Sequence, residues 1–113
     1  HDIESLGAAV EKIEGLHKTI IAKLAEGDLD AAHGPMHDIG TVLIATEGYL
    51  EENNQGAKQA DLQAAVETIL DSVGEVDELL HVGGEIDVEA VNKKYVEVSS
   101  SVDEAIATLK VGG

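Results

Sequence analysis

The sequence predicts an all-α protein, an antiparallel up-down-up-down four-helix bundle with left-handed packing, forming one domain over residues 1–113. Three observations predict it. Aliphatic residues recur in alternating steps of three and four through four segments of similar length, which is the seam of helices packed at a shallow left-handed angle. Glycines and helix-capping side chains punctuate the segments. The connections are short, and short connections force neighbouring helices to run antiparallel.

The first helix, over approximately 3–26, places Ile3, Leu6, Val10, Ile13, His17, Ile20 and Leu24 inward. Gly27-Asp28 ends it and caps the next. The second, over 29–51, places Leu29, Ala32, Met36, Ile39, Leu43, Thr46 and Leu50 inward. Asn53-Asn54-Gln55-Gly56 forms the middle loop. The third, over 58–82, uses Leu62, Val66, Ile69, Val73, Val76 and Leu80, and Gly83-Gly84 followed by Asp87 separates it from the fourth. The fourth, over 87–110, uses Val88, Val91, Tyr95, Val98, Val102, Ala105 and Leu109, after which Val111-Gly112-Gly113 is expected to fray. Each helix is about 35 Å long at the rise of an α-helix. One residue breaks the pattern. Pro35 stands inside the second segment, where a missing N–H and a clash with the carbonyl four residues back predict a kink or a restart. Gly7, Gly15, Gly40, Gly48 and Gly74 also fall inside helices, where they either admit a close neighbour or simply weaken the helix.

Composition excludes whole classes of function. The formal net charge of −16 comes from 23 Asp and Glu against 7 basic residues, all of them Lys. Such a chain is repelled by phosphate backbones and anionic lipid, and it lacks the guanidinium groups that grip phosphate. No nucleic-acid or membrane partner is therefore expected, whereas a cation or a basic protein is. With 43% hydrophobic residues the chain is no disordered acidic tail. The absence of Cys removes disulfides, thiol catalysis, iron–sulfur ligation and covalent haem attachment. No Ser/His/Asp arrangement and no phosphate-binding glycine loop is recognisable, so the expectation is a protein that is not an enzyme. The chain begins at His1, which reads either as a leader removed or as a trimmed, cloning-derived start; export to the periplasm or beyond is the expectation drawn here.

The histidines carry what chemistry there is. His17 sits on the inward stripe among aliphatic residues, level with His37–Asp38 on the second helix and Tyr95–Glu97 on the fourth. A buried imidazole needs partners. Either His17 hydrogen-bonds Tyr95 and holds the bundle in register, or it helps to ligate something at that level. His33 and His37 are spaced i, i+4 and present two nitrogens from one helical face. With His17 and the nearby Asp30 and Asp38, they form a set suited to zinc, copper or nickel. His81 closes the third helix, where a cation complements the helix dipole. The strings Glu14–His17 and Glu78–His81 share the Glu-x-x-His spacing of di-iron bundles. His81, however, lies about 10 Å from the level of His17 by helical rise, which excludes a carboxylate-bridged pair of irons.

Helix number, length and order over the whole chain resemble the cytochrome c-prime and soluble b-type cytochrome group, whose members are small exported four-helix bundles. The haem motif of that group is missing. Val102-Asp103-Glu104-Ala105-Ile106 stands where Cys-x-x-Cys-His would be, Met36 is the single Met, and the fourth helix has no His, so haem is not expected. The stretch Ala32-His33-Gly34-Pro35-Met36-His37-Asp38-Ile39-Gly40 also resembles a His-x-Pro-x-His segment of uncharacterised exported helical proteins of planctomycete-like bacteria, a likeness that implies no activity.

Two functions fit these readings. One is a non-catalytic bundle that binds a divalent transition metal through His33, His37 and His17 near the top of the second helix. The other is a ligand-free structural or interaction module whose acidic surface meets a basic partner. A monomer is expected, or a dimer if an apolar flank such as Val42 with Tyr49 stays exposed.

Overall fold

The alternating aliphatic pattern resolves into four helices in the computed structural model of the chain, which describes residues 4–53, 55–81 and 85–112. Helix α1 spans Leu6–Ala25, α2 Leu29–Glu52, α3 Gln59–Leu80 and α4 Val88–Gly112, with a 3-10 turn at Gly56–Lys58 leading into α3. No strand occurs among the described residues. None of their helices is long and apolar enough to cross a membrane.

Side-chain caps set the helix starts. The Ser5 hydroxyl accepts the Ala8 N–H at 3.1 Å and starts α1. Asp28 accepts the Ala31 N–H at 3.0 Å and starts α2. Asp87 accepts the N–H groups of Glu89 and Ala90 at 3.0 and 3.3 Å at the head of α4. Each satisfies a donor that a helix start leaves without a partner. Gly27, with φ of 77°, makes the left-handed turn between α1 and Asp28. The middle loop is clamped by Gln59, whose carbonyl oxygen accepts the Gln55 N–H at 2.9 Å while its amide donates to the Leu50 carbonyl at 2.7 Å. Ile3, His1 and Gly83-Gly84 lie outside the described residues.

Each helix packs against two others, in the ring α1–α2–α3–α4 and back to α1. Neighbours run in opposite directions. Between α1 and α4, Gly27 meets Val88, His17 meets Asp103, and Glu14 meets Lys110. Between α2 and α3, the Leu50 carbonyl meets Gln59 at one end and the His33 ring meets His81 at the other. The core is the expected seam: Ile13, Ile20, Ile39, Leu43, Leu50, Val66, Ile69, Val76, Val102 and Leu109 have no exposed surface. Burial of such a side chain contributes about 1.5–3 kcal/mol. Ala9, Ala65, Ser72 and Ile106, beside the stripe, are buried as well.

Several local expectations are corrected. Helix α2 does not restart at Pro35; it is one element from Leu29 to Glu52. The proline costs the Ala31 carbonyl its helical donor, but Ala31 is only partly buried, so solvent can supply the partner. The C-terminal residues do not fray at Val111, because α4 continues to Gly112. There Gly112 lies close against the Leu62 side chain, and Lys58 Nζ donates to the Val111 carbonyl at 3.4 Å. Val42 and Tyr49 are not an exposed flank, since both are partly buried against the core. The large apolar residues that do face outward include Ile44, Val96 and Val111.

The ring arrangement also sorts charge. Helix α2 carries Asp30, Asp38, Glu47, Glu51 and Glu52, and α3 carries Asp61, Glu67, Asp71, Glu75, Asp77 and Glu78. Neither has a Lys. Lys12, Lys18 and Lys23 lie on α1, Lys93, Lys94 and Lys110 on α4, and Lys58 in the 3-10 turn. One half of the bundle is therefore wholly anionic, and the other is mixed.

The mid-helix glycines Gly15 and Gly48 do not serve close packing, for a Cβ built on either meets no atom within 4 Å. Replacing each with Ala is expected to stabilise the fold by about 0.5–1 kcal/mol through helix propensity and a less flexible unfolded chain. The check is the urea midpoint of each variant, and an unchanged or lowered midpoint would contradict it.

Candidate functional site

Two polar constellations interrupt the aliphatic interior and its margin. The inner one joins α1 to α4. His17 is 2% exposed. Its Nδ1 lies 2.6 Å from the Tyr95 hydroxyl and its Nε2 lies 2.9 Å from Oδ1 of Asp103. An ionised carboxylate only accepts, so Nε2 donates to Asp103, and in the neutral tautomer Nδ1 accepts from the Tyr95 hydroxyl. Burial pushes the Tyr95 hydroxyl well above the ordinary value of 10.0, and the Asp103 charge adds to the shift, so Tyr95 keeps the proton it donates. Both ring nitrogens are thereby engaged, which leaves neither free for a ligand. Nearby, Lys110 Nζ donates to Glu14 Oε2 at 2.6 Å, and that hydrogen bond holds the Glu14 carboxyl below its ordinary value.

The outer constellation lies at the margin between α2 and α3. His33 and His81 stand with ring centroids 6.0 Å apart, edge to face. Nε2 of His81 lies 3.2 Å from Oδ2 of Asp77, one turn earlier on α3. One donor atom from each of His33, Asp77 and His81 lies within 4.8 Å of the other two. Four-coordinate zinc with bonds of about 2.0–2.2 Å separates its ligand atoms by about 3.3–3.6 Å. The three groups therefore need to close by at most roughly 1.5 Å, which side-chain rotation can supply because His33 and His81 are exposed and Asp77 is half-buried.

Beside them a cleft of about 400 Å³ runs along the α2–α3 margin. Met36, Leu70 and Val73 form its apolar side, Gly40 and Gly74 leave it open, and His37, Thr41 and Ile44 border it.

The structure thus divides the histidine set read from the sequence. His33 belongs to the three-residue group, and His37 lines the same cleft without joining it. His17 belongs with α4 instead, and Asp30 and Asp38 are exposed and outside the group. The Tyr95 partner of His17 was legible, but Asp103, one residue off the inward stripe, was missed. So was Asp77, although it lies one turn before His81, because His81 at the helix end reads as a partner of the helix dipole. A signal existed: counting back from a turn at about residue 55 puts His33 level with Asp77.

No protein-family model, curated protein or solved structure matches the chain.

Replacing Tyr95 with Phe leaves Nδ1 of His17 buried without its donor and is expected to cost about 1–3 kcal/mol at neutral pH. The raised folded-state value means that the contribution of Tyr95 is intact below about pH 10 and is lost as pH rises further, because the unfolded chain ionises first. Urea denaturation of wild type and Tyr95→Phe should therefore show a stability gap that narrows in alkali. A gap that stays constant would assign the loss to packing alone.

Proposed function

We propose that this acidic bundle is a non-catalytic binder of a divalent transition metal, zinc, copper or nickel, with His33, Asp77 and His81 as the ligands. The observation that carries the reading is the convergence of three donor atoms, two imidazole and one carboxylate, from adjacent helices within 4.8 Å. Imidazole and carboxylate together suit these ions better than calcium or magnesium, which prefer oxygen alone. Three protein ligands leave a fourth position for water or for His37, one turn along α2 in the same cleft. The wholly anionic α2–α3 half raises the local concentration of cations around the site. His17, held by Tyr95 and Asp103, takes no part.

A bound ion would clip α2 to α3 and stabilise the fold by about 2.7 kcal/mol at a concentration one hundred times its Kd. Because the ligands bind unprotonated, affinity should fall as the solution is acidified. The test is elemental analysis after dialysis against zinc, copper and nickel, paired with calorimetric titration, for wild type, His33→Ala, His81→Ala, Asp77→Asn and His37→Ala. His33→Ala and His81→Ala are expected to weaken binding by about 10–100-fold, with a smaller effect from His37→Ala. Equal loss in His33→Ala and His37→Ala with full retention in His81→Ala would move the site onto α2 alone. Absence of retained metal in the wild type would overturn the reading.

A further inference from the structure

The cleft that the histidines line has an apolar length that the metal reading does not use. It extends along α2 from His33 to Ile44 and along α3 from His81 back to Leu70, a distance of about 16 Å, or three helical turns. Its floor is apolar at Met36, Val73 and Leu70. Gly40 and Gly74 border it from opposite helices, and a Cβ built on either meets no atom within 4 Å, so another backbone can approach closely. Ile44 stands at the far end 63% exposed, a branched aliphatic side chain left in water beside an apolar groove. Packing another helix over such a groove is the ordinary way to remove that surface from water.

Charge decides the occupant. Both helices that form the groove carry carboxylates and no Lys, whereas the lysines lie on α1, α4 and the 3-10 turn. A second copy presenting the same face is repelled. A helix with an apolar stripe and flanking Lys or Arg matches both the floor and the rim.

We propose that the α2–α3 groove is a docking site for a cationic amphipathic helix of a partner protein, its apolar stripe lying over Ile44, Leu70 and the two glycines and its basic residues meeting the carboxylates that α2 and α3 carry. It shares the cleft with His33, Asp77 and His81, and its contacts at Ile44, Leu70 and the two glycines need no bound ion.

The probe is a labelled peptide of roughly 14 residues, matching the groove length, with leucines along one helical face and lysines elsewhere. Its control is a scrambled peptide of the same composition. Binding to the full chain is followed by fluorescence anisotropy with chelator present, at low and at roughly physiological salt. The amphipathic peptide is expected to bind at least about tenfold more tightly than the scrambled one, with affinity falling as salt rises. Ile44→Gln, which removes apolar surface without changing charge, should weaken binding by about 3–10-fold. Gly74→Leu, which fills the groove, should weaken it at least as much. Val96→Gln, at an equally exposed aliphatic residue of α4, should leave it unchanged. Equal binding of both peptides, equal loss in Val96→Gln, or no binding at low salt would overturn the proposal. So would self-association of the free chain that Ile44→Gln abolishes, since the occupant would then be a second copy.

Discussion

A histidine placed in a core of Ala, Val, Ile and Leu has to bring its hydrogen-bond partners with it, because an unpaired buried ring nitrogen costs about 1–3 kcal/mol, as much as burying one aliphatic neighbour contributes. His17 meets that condition with the Tyr95 hydroxyl on one side and Asp103 on the other, both from α4. Aliphatic packing tolerates sliding by a turn, since one branched side chain resembles another. The paired imidazole does not, for a shift of one turn would strand both nitrogens. The contact therefore selects one axial register between α1 and α4, and the Glu14–Lys110 pair and the Gly27–Val88 contact fall into line with it. At the opposite side of the ring, the Gln59 clamp performs the same service for α2 and α3 by tying Gln55 and Leu50 together.

Register on that second side gives the chain its chemistry. His33 lies on α2 and His81 at the end of α3, far apart in the chain, and only antiparallel pairing of these two helices sets their rings edge to face beside Asp77. The same pairing leaves Gly40 and Gly74 on either side of an open cleft. Because every Lys is placed elsewhere, this cleft lies between two helices that carry carboxylates and no lysine. Metal ligands, an apolar groove and concentrated negative charge thus share one face, while α1 and α4 hold the polar lock of the interior.

Much of the fold was legible residue by residue. The inward stripes of α1, α2 and α4 match the buried residues almost position for position, because a helix with a single apolar stripe has one way to face a core. The caps Asp28 and Asp87 and the turn at Gly27 were equally plain, since their chemistry is local. Pro35 misled for the opposite reason. The rule against proline concerns a lost backbone donor, and here that loss falls on the carbonyl of Ala31, a residue only partly buried. Gly112 misled because its place is decided by Leu62, a residue of another helix.

By itself, the sequence determined the helices, their inward faces, the excess of negative charge and the need of His17 for a partner, all of which follow from periodicities and group chemistry that act within a few turns. Only the tertiary structure decided which histidines meet. Whether His33 meets His17 or His81 depends on the rotation and axial offset of whole helices about one another, quantities that packing across the core settles and that no local spacing encodes.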